Sequence, residues 1–225
     1  MARSGGGTRP LAVRVRSARR RKASSTEWLT RQLNDPFVAE AKRLGYRSRA
    51  AFKLAQLDTR FHLLAPGRLV VDLGCAPGGW SQVAAVRVGS AGKVVGIDLN
   101  PTDPLPGVIL LTGDFREPAI AESIRRALGG TADLVLSDMA APATGHAPTD
   151  HLRIVALAEE AFAFAEGILK PGGGFVAKVF QGGTEGELLA ALKRAFADVR
   201  HAKPAASRAE SAETYVVAKG FRGGL

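Results

Sequence analysis

Cysteine is nearly missing: Cys75 is the single one in 225 residues. No intramolecular disulfide can form, and no C-x-x-C or clustered His/Cys set offers ligands, so no metal is expected. Long apolar runs are missing too. Nothing approaches the ~20 apolar residues that cross a bilayer, and the first residues lack the apolar stretch of a secretory signal. The expectation is a cytoplasmic protein with no membrane partner. Aromatics make up only 6% of a chain that is 46% hydrophobic, a composition that fits one well-buried α/β domain and leaves two domains cramped.

Acid is absent from one stretch. Residues 1–26 contain eight of the 31 Lys/Arg and no Asp or Glu, leaving 23 bases against 21 acids elsewhere, so most of the +10 net charge sits in one tail. With Gly5-Gly6-Gly7 and little apolar content, this tail is expected to be disordered alone and suited to phosphate backbones through counterion release. Two other readings stand. A solubilising terminus has this composition, and so does a mitochondrial presequence, which would move the protein to the matrix.

Residues 27–225 are read as one domain. Helical patterns come first: Trp28, Leu29 and Leu33; then Asp35-Pro36 starting a helix that carries Phe37, Val38, Ala41 and Leu44 until Gly45; then Ser48 to about Leu57 with Ala51, Leu54 and Ala55 inward. Beyond Pro66-Gly67, β-branched runs alternate with longer helical stretches, the pattern of parallel βαβ units. The strands predicted are Arg68–Leu73, Lys93–Leu99, Gly107–Leu111, Ala132–Asp138, Gly174–Phe180, about Val199–Lys203 and Thr214–Lys219. The helices between them are Gly79–Val88, Pro118–Leu128, His151–Leu169 and Glu185–Phe196. A short Pro/Ser-rich connection joins the last two strands, so one of them must run antiparallel to the rest. The expected fold is α/β and Rossmann-like, a seven-stranded, mostly parallel sheet with one antiparallel strand and helices on both faces. That arrangement is the one found in S-adenosylmethionine (SAM) methyltransferases.

Ligands of such sheets bind beyond the carboxyl ends of the strands, where the first strand turns into its helix. Val70-Val71-Asp72-Leu73 runs into Gly74-Cys75-Ala76-Pro77-Gly78-Gly79-Trp80, whose glycines permit a tight turn and close approach. The spacing G-x-x-x-G-G departs from the G-x-G-x-x-G of pyrophosphate binders and better suits an amino-acid moiety. Asp98, ending the second strand, can accept from two ribose hydroxyls. Asp114 in Gly113-Asp114-Phe115 can accept from an adenine amino group or cap the following helix. Trp80 either lies against the cofactor or packs. Cys75 reads as a small residue in the turn.

Asp138 ends the fourth strand beside this pocket. Lys178 lies inside the apolar strand Gly174–Phe180, where an unpaired charge is costly. It reads as half of an ion pair with Asp138 or as a functional group.

Several spaced motifs resemble those of the FtsJ/RrmJ ribosomal RNA ribose 2′-O-methyltransferases: Arg47-Ser48-Arg49-Ala50-Ala51-Phe52-Lys53-Leu54, Val70 to Gln82, Gly113-Asp114-Phe115-Arg116, Ser137-Asp138-Met139-Ala140, Lys178-Val179-Phe180-Gln181-Gly182, and Lys203-Pro204 to Val217. The resemblance spans about Ser24 to Lys219. It implies a catalytic set Lys53, Asp138, Lys178 and Glu213, and cofactor contacts at Gly78, Trp80, Asp98, Asp114 and Asp138. It also implies SAM as cofactor and a uridine of large-subunit ribosomal RNA, in the ribosomal subunit, as acceptor, with the enzyme a monomer. Ala141-Pro142 departs from the family, which often has Pro-Asn there.

A ribose hydroxyl is a poor nucleophile, so a base must take its proton as it attacks the sulfonium methyl. Lys178 either serves as that base or stays charged and orients the oxygen. Proximity supplies much of the acceleration in both cases. Lys42, Arg43, Arg47, Arg49 and Lys53, with Arg200, Lys203 and Arg208, form a basic strip that reads as an RNA surface or a solvated face. A transfer RNA acceptor, a non-catalytic assembly factor and a nicotinamide dehydrogenase are the alternatives.

Overall fold

The computed structural model describes residues 26, 29–30, 32–142, 144–181 and 186–223. The basic tail up to residue 25, Trp28, Gly182 and Glu185 of the sequence reading lie outside these residues.

Among the described residues, 26, 29–30 and 32–33 are helical, and two further helices follow before the sheet. In α1 (Pro36–Arg43) Asp35 caps the start, its Oδ1 accepting from the Phe37 N–H at 3.0 Å, with Pro36 in the first turn where its missing N–H costs nothing. Leu44, at the end of this helix, is 48% exposed. Helix α2 (Ala50–Phe61) runs a turn beyond the predicted end and buries Ala51, Leu54, Leu57 and Phe61 together with Lys53 and Asp58.

Next come β1 (Leu69–Leu73), α3 (Gly79–Val88), β2 (Lys93–Asp98), β3 (Val108–Thr112), α4 (Pro118–Leu128), β4 (Ala132–Ser137), α5 (Ala147–Glu166), β5 (Leu169–Phe180), α6 (Gly186–Ala195), β6 (Phe196–Ala202) and β7 (Glu213–Phe221). The seven strands form one sheet in the order β3-β2-β1-β4-β5-β7-β6. Only β7 runs against the others, inserted between β5 and β6. The fold is therefore the expected one, closed at one edge by the predicted hairpin.

Side-chain alternation divides the core between the two faces of the sheet. Val71, Val95, Val135, Phe175 and Ala177 pack under α4, α5 and α6. Val70, Val94, Leu134, Leu136, Val176 and Val217 pack under α2 and α3. Asp72, Lys178 and Tyr215 alternate in phase with this second set, so α2 and α3 cover them.

Besides α2, three elements depart from their predicted limits by three residues or more. Helix α5 starts at Ala147, because Pro148 occupies its first turn instead of breaking it, and it ends before Gly167. Strand β5 begins at Leu169: its pairing with β4 jumps from Ala132↔Leu169 to Leu134↔Gly174, so Lys170 to Gly173 bulge out of the ladder. Strand β6 begins at Phe196, whose ring is buried against Phe221 and Phe162.

Candidate active site

The register of β5 and β7 sets Lys178 opposite Tyr215 and Phe180 opposite Glu213, while β4 ends beside them at Asp138. Helix α2 lays Lys53 over the same spot. Four residues spread over 160 positions of sequence thus form one cluster at the carboxyl end of β4 and β5. Lys178 Nζ donates to Asp138 Oδ1 at 3.0 Å and to the Asp138 carbonyl at 2.7 Å. Lys53 Nζ donates to Glu213 Oε2 at 2.8 Å and stands 3.7 Å from Asp138 Oδ2. Both lysines are buried to 7% exposure, so each ammonium depends on these carboxylates for its solvation.

Burial pushes the Asp138 carboxyl upward, but the Lys178 and Lys53 ammonium groups and the Tyr215 hydroxyl outweigh it and hold Asp138 below its ordinary value. Asp138 is ionised at neutral pH. Tyr215 donates to Asp138 Oδ1 at 2.6 Å; burial and the neighbouring negative charge of Asp138 raise its phenol well above the usual value, so it stays a donor. Tyr215 and Ser207, whose hydroxyl donates to Glu213 Oε1 at 2.7 Å, were not singled out in the sequence. Tyr215 was findable, because it follows Glu213 by two on a strand and must share its face. Ser207 lies in a connection with no periodicity to mark it.

A cavity of about 580 Å³ opens beside the cluster, with Asp138, Asp98 and Asp114 in its wall and Ile97, Leu99, Phe115, Met139, Pro142 and Leu157 among its apolar lining. The size suits a nucleoside-scale ligand. Four carboxylates, Asp98, Asp114, Asp138 and Glu160, against one guanidinium, Arg116, line the cavity; this negative balance disfavours a pyrophosphate and favours a ligand that is cationic and rich in N–H and O–H donors, which weighs against a nicotinamide dinucleotide. Asp98 also braces the glycine loop: Oδ2 accepts from the Ala76 N–H at 3.0 Å and Oδ1 from the Asn100 N–H at 2.8 Å. Asp114 is not the cap of α4, a position held by Glu117. It accepts from its own loop at the Arg116 N–H, 3.0 Å, and from the Arg116 guanidinium, which reaches on to Glu160 at 3.1 Å. Ala141 and Pro142, the departure from the family pattern, line the cavity.

Gly78 and Trp80 stand apart from this wall. Gly78 has φ +109°, and a Cβ there would meet the Arg47 side chain at 3.2 Å. Arg47 donates to the carbonyls of Pro77, Asp103 and Pro104, tying the glycine loop to the loop after β2. The Trp80 indole N–H donates to the Ala50 carbonyl at 2.8 Å, and its ring packs 5.5 Å from that of Tyr215. Of the two readings of Trp80, the packing one describes its side chain. Cys75 is buried, and that burial pushes its thiol up to about 12, as befits a residue filling a turn.

Much of the basic strip has internal partners. Arg43 pairs with Glu40, Arg49 and Arg208 with Asp35, and Arg200 with Asp198. Lys203 donates to the carbonyls of Ala209 and Ser211. Among the described residues no helix is long and apolar enough to cross a membrane.

Residues 46–221 match the family described as FtsJ-like methyltransferase. The chain is 65% identical over 223 residues to Ribosomal RNA large subunit methyltransferase E of Paramagnetospirillum magneticum, covering 97% of this chain and 91% of that protein. To the protein of the same name in Azorhizobium caulinodans it is 62% identical over 218 residues, 96% of this chain and 91% of the relative. A crystal structure of a Plasmodium falciparum protein, assigned as a ribosomal RNA methyltransferase, superposes with a TM-score of 0.72 at 33% identity, covering 80% of this chain and all of the other.

Proposed function

The chain belongs to the FtsJ-like methyltransferase family, and from that premise we propose that it moves a methyl group from SAM to a ribose 2′-hydroxyl, that of a uridine in large-subunit ribosomal RNA. The observation that carries this reading is the double duty of Asp138. Its carboxylate is part of the cavity wall and also holds Lys178, so a donor in the cavity and a hydroxyl at Lys178 would meet across one residue.

SAM, when bound, supplies an electrophilic methyl on a positively charged sulfur. The chain's contribution begins with three of the cavity's carboxylates. Asp98 offers oxygens to the ribose diol, Asp114 to the adenine amino group, and Asp138 a negative wall to the cationic end. Gly78 belongs to the turn that lets the glycine loop approach, while Trp80 supports that loop from beneath.

Lys178 meets the acceptor. Two of the three positions on its Nζ are taken by Asp138, which leaves one for the incoming hydroxyl. As an ammonium it points an N–H there and orients the oxygen. In the alternative role, with that proton released to solvent before the acceptor binds, Nζ presents a lone pair in the same direction and takes the hydroxyl proton as the oxygen attacks. Lys53 and Glu213 keep a second, mutually neutralised pair beside Asp138, so the carboxylate stays available to Lys178. Holding both reactants in line removes the entropic part of the barrier.

Arg43 and Arg200 are exposed and, among the described residues, pair with neighbouring acids, pairs that exposed screening keeps weak and that RNA phosphates can replace. With the basic tail of residues 1–26, they favour an RNA acceptor. The protein is taken to act as a monomer on the large subunit, in the cytoplasm where subunits mature.

Lys178→Ala tests the reading. Methyl transfer should be abolished while SAM affinity by calorimetry stays within a few-fold. Turnover at the wild-type level would remove Lys178 from the mechanism, and label found only on transfer RNA would reassign the acceptor.

A further inference from the structure

The connection between β6 and β7 is fastened down at several points. Lys203 Nζ donates to the Ala209 and Ser211 carbonyls at 3.0 and 2.6 Å. From α2, Arg49 Nη2 donates to the Ala206 carbonyl at 2.5 Å, and Gln56 Oε1 accepts from the Ala206 N–H at 2.9 Å. Two side chains at α2 thus grip both polar groups of one residue, and the next residue is Ser207. Its N–H donates to the Pro204 carbonyl at 2.9 Å, and its side chain is buried at 5% exposure. With the backbone held there, the Ser207 hydroxyl lies within hydrogen-bond reach of Glu213.

Glu213 has one side-chain donor for each carboxylate oxygen: Ser207 on Oε1 at 2.7 Å and Lys53 on Oε2 at 2.8 Å. A carboxylate's terminal torsion is broad and nearly two-fold, so one donor alone leaves the group free to turn and two fix it. The other cations beside Glu213 have partners of their own: Arg49 and Arg208, which line a cavity with it, pair with Asp35, and Lys178 pairs with Asp138. Tyr215 donates to Asp138 at 2.6 Å and its hydroxyl also interacts with Glu213, a weaker support than the 2.7 Å bond from Ser207. Without Ser207, Lys53 would be drawn by a rotating Glu213 on one side and by Asp138, 3.7 Å away, on the other.

We propose that Ser207 is a positioning residue for methyl transfer: it orients Glu213, and through Glu213 it holds Lys53 clear of Asp138. It touches neither the cavity wall nor the place assigned to the acceptor, and the inference rests on the roles given above to Lys53 and Glu213.

Ser207→Ala removes the hydroxyl and leaves almost no cavity. The expected result is a fall in kcat of about ten-fold, the scale of one hydrogen bond to a charged group, with SAM affinity unchanged within two-fold. Ser207→Thr, which keeps the hydroxyl, should recover most of the rate. A role in packing alone would instead lower Tm and weaken RNA binding in both variants. Wild-type kcat in Ser207→Ala, or a Thr variant no better than the Ala variant, overturns the proposal. Glu213→Gln is measured beside them by single-turnover transfer of labelled methyl. If it turns over normally, the role of Glu213 itself has failed; if it is impaired while Ser207→Ala is not, only the present inference has.

Discussion

Asp72 sits inside β1 at 1% exposure, an acid in an otherwise apolar strand. Burial pushes its carboxyl up to about 7 from 3.8, Ser81 opposing through a 2.6 Å hydrogen bond and the charges of Asp138 and Asp98 adding to the rise. The folded state therefore binds this proton more tightly than the unfolded chain does. Stability should fall as pH rises from about 4 to about 7 and then level off. Each pH unit in that window is worth about 1.4 kcal/mol, so between pH 5 and 8 the charge on Asp72 costs about 3 kcal/mol. The substitution Asp72→Asn keeps an oxygen for Ser81 and removes the titration. The test is thermal unfolding of the wild type and this variant across pH 5 to 8. At roughly 2–4 °C per kcal/mol for a chain of this size, the wild-type Tm should drop by roughly 5–10 °C relative to the variant over that range. The variant's absolute stability is immaterial, because only the divergence of the two curves bears on Asp72. Parallel curves would refute the reasoning.

Tyr215→Phe removes a donor from Asp138 and should cost about 1–3 kcal/mol of stability at neutral pH, measured by urea unfolding, because a buried charged acceptor loses one partner. Asp98→Ala should weaken SAM binding at least ten-fold in calorimetry, since it removes the carboxylate offered to the ribose and frees the Ala76 N–H of the glycine loop; an unchanged affinity would place the ribose elsewhere. Gly96→Ala puts a methyl 2.9 Å from Cys75 Sγ and 3.0 Å from Ser81 Oγ, so chemical denaturation should show a loss of about 1–3 kcal/mol from overpacking.

What could be read in advance was governed by periodicity and punctuation. Strands β1, β2 and β4 are β-branched runs bounded by glycine or helix signals, and their limits were found within a residue. That one of the last two strands runs antiparallel followed from a connection too short to hold a crossover helix; in the structure that strand is β7. Errors arose where a signal has two physical meanings. A proline can end a helix or open one, and Pro148 opens α5 ahead of the predicted start at His151, while the glycines at 172–174 hid a bulge that lets β5 start five residues early.

The site followed the same logic. An acid at a strand end and a lysine inside an apolar strand are anomalous locally, so Asp138 and Lys178 were visible, and the family resemblance added Lys53 and Glu213. Ser207 was not anomalous, since a serine in a loop is ordinary, and only its contact with Glu213 in the folded chain marks it. Trp80 had two readings that only packing could separate. The basic strip showed its charge in the sequence but not its partners: Asp35, which holds both Arg49 and Arg208, lies far from Arg208 along the chain.

The central claim is that Asp138 places a methyl donor and a Lys178-bound ribose hydroxyl side by side. Its most direct test is transfer of tritiated methyl from SAM to large ribosomal subunits, with the wild type and Lys178→Ala, followed by mapping of the labelled nucleotide. The account predicts label on the 2′-oxygen of one uridine of the large-subunit RNA with the wild type and none with the variant. Label on a base, or equal label from both proteins, would contradict it.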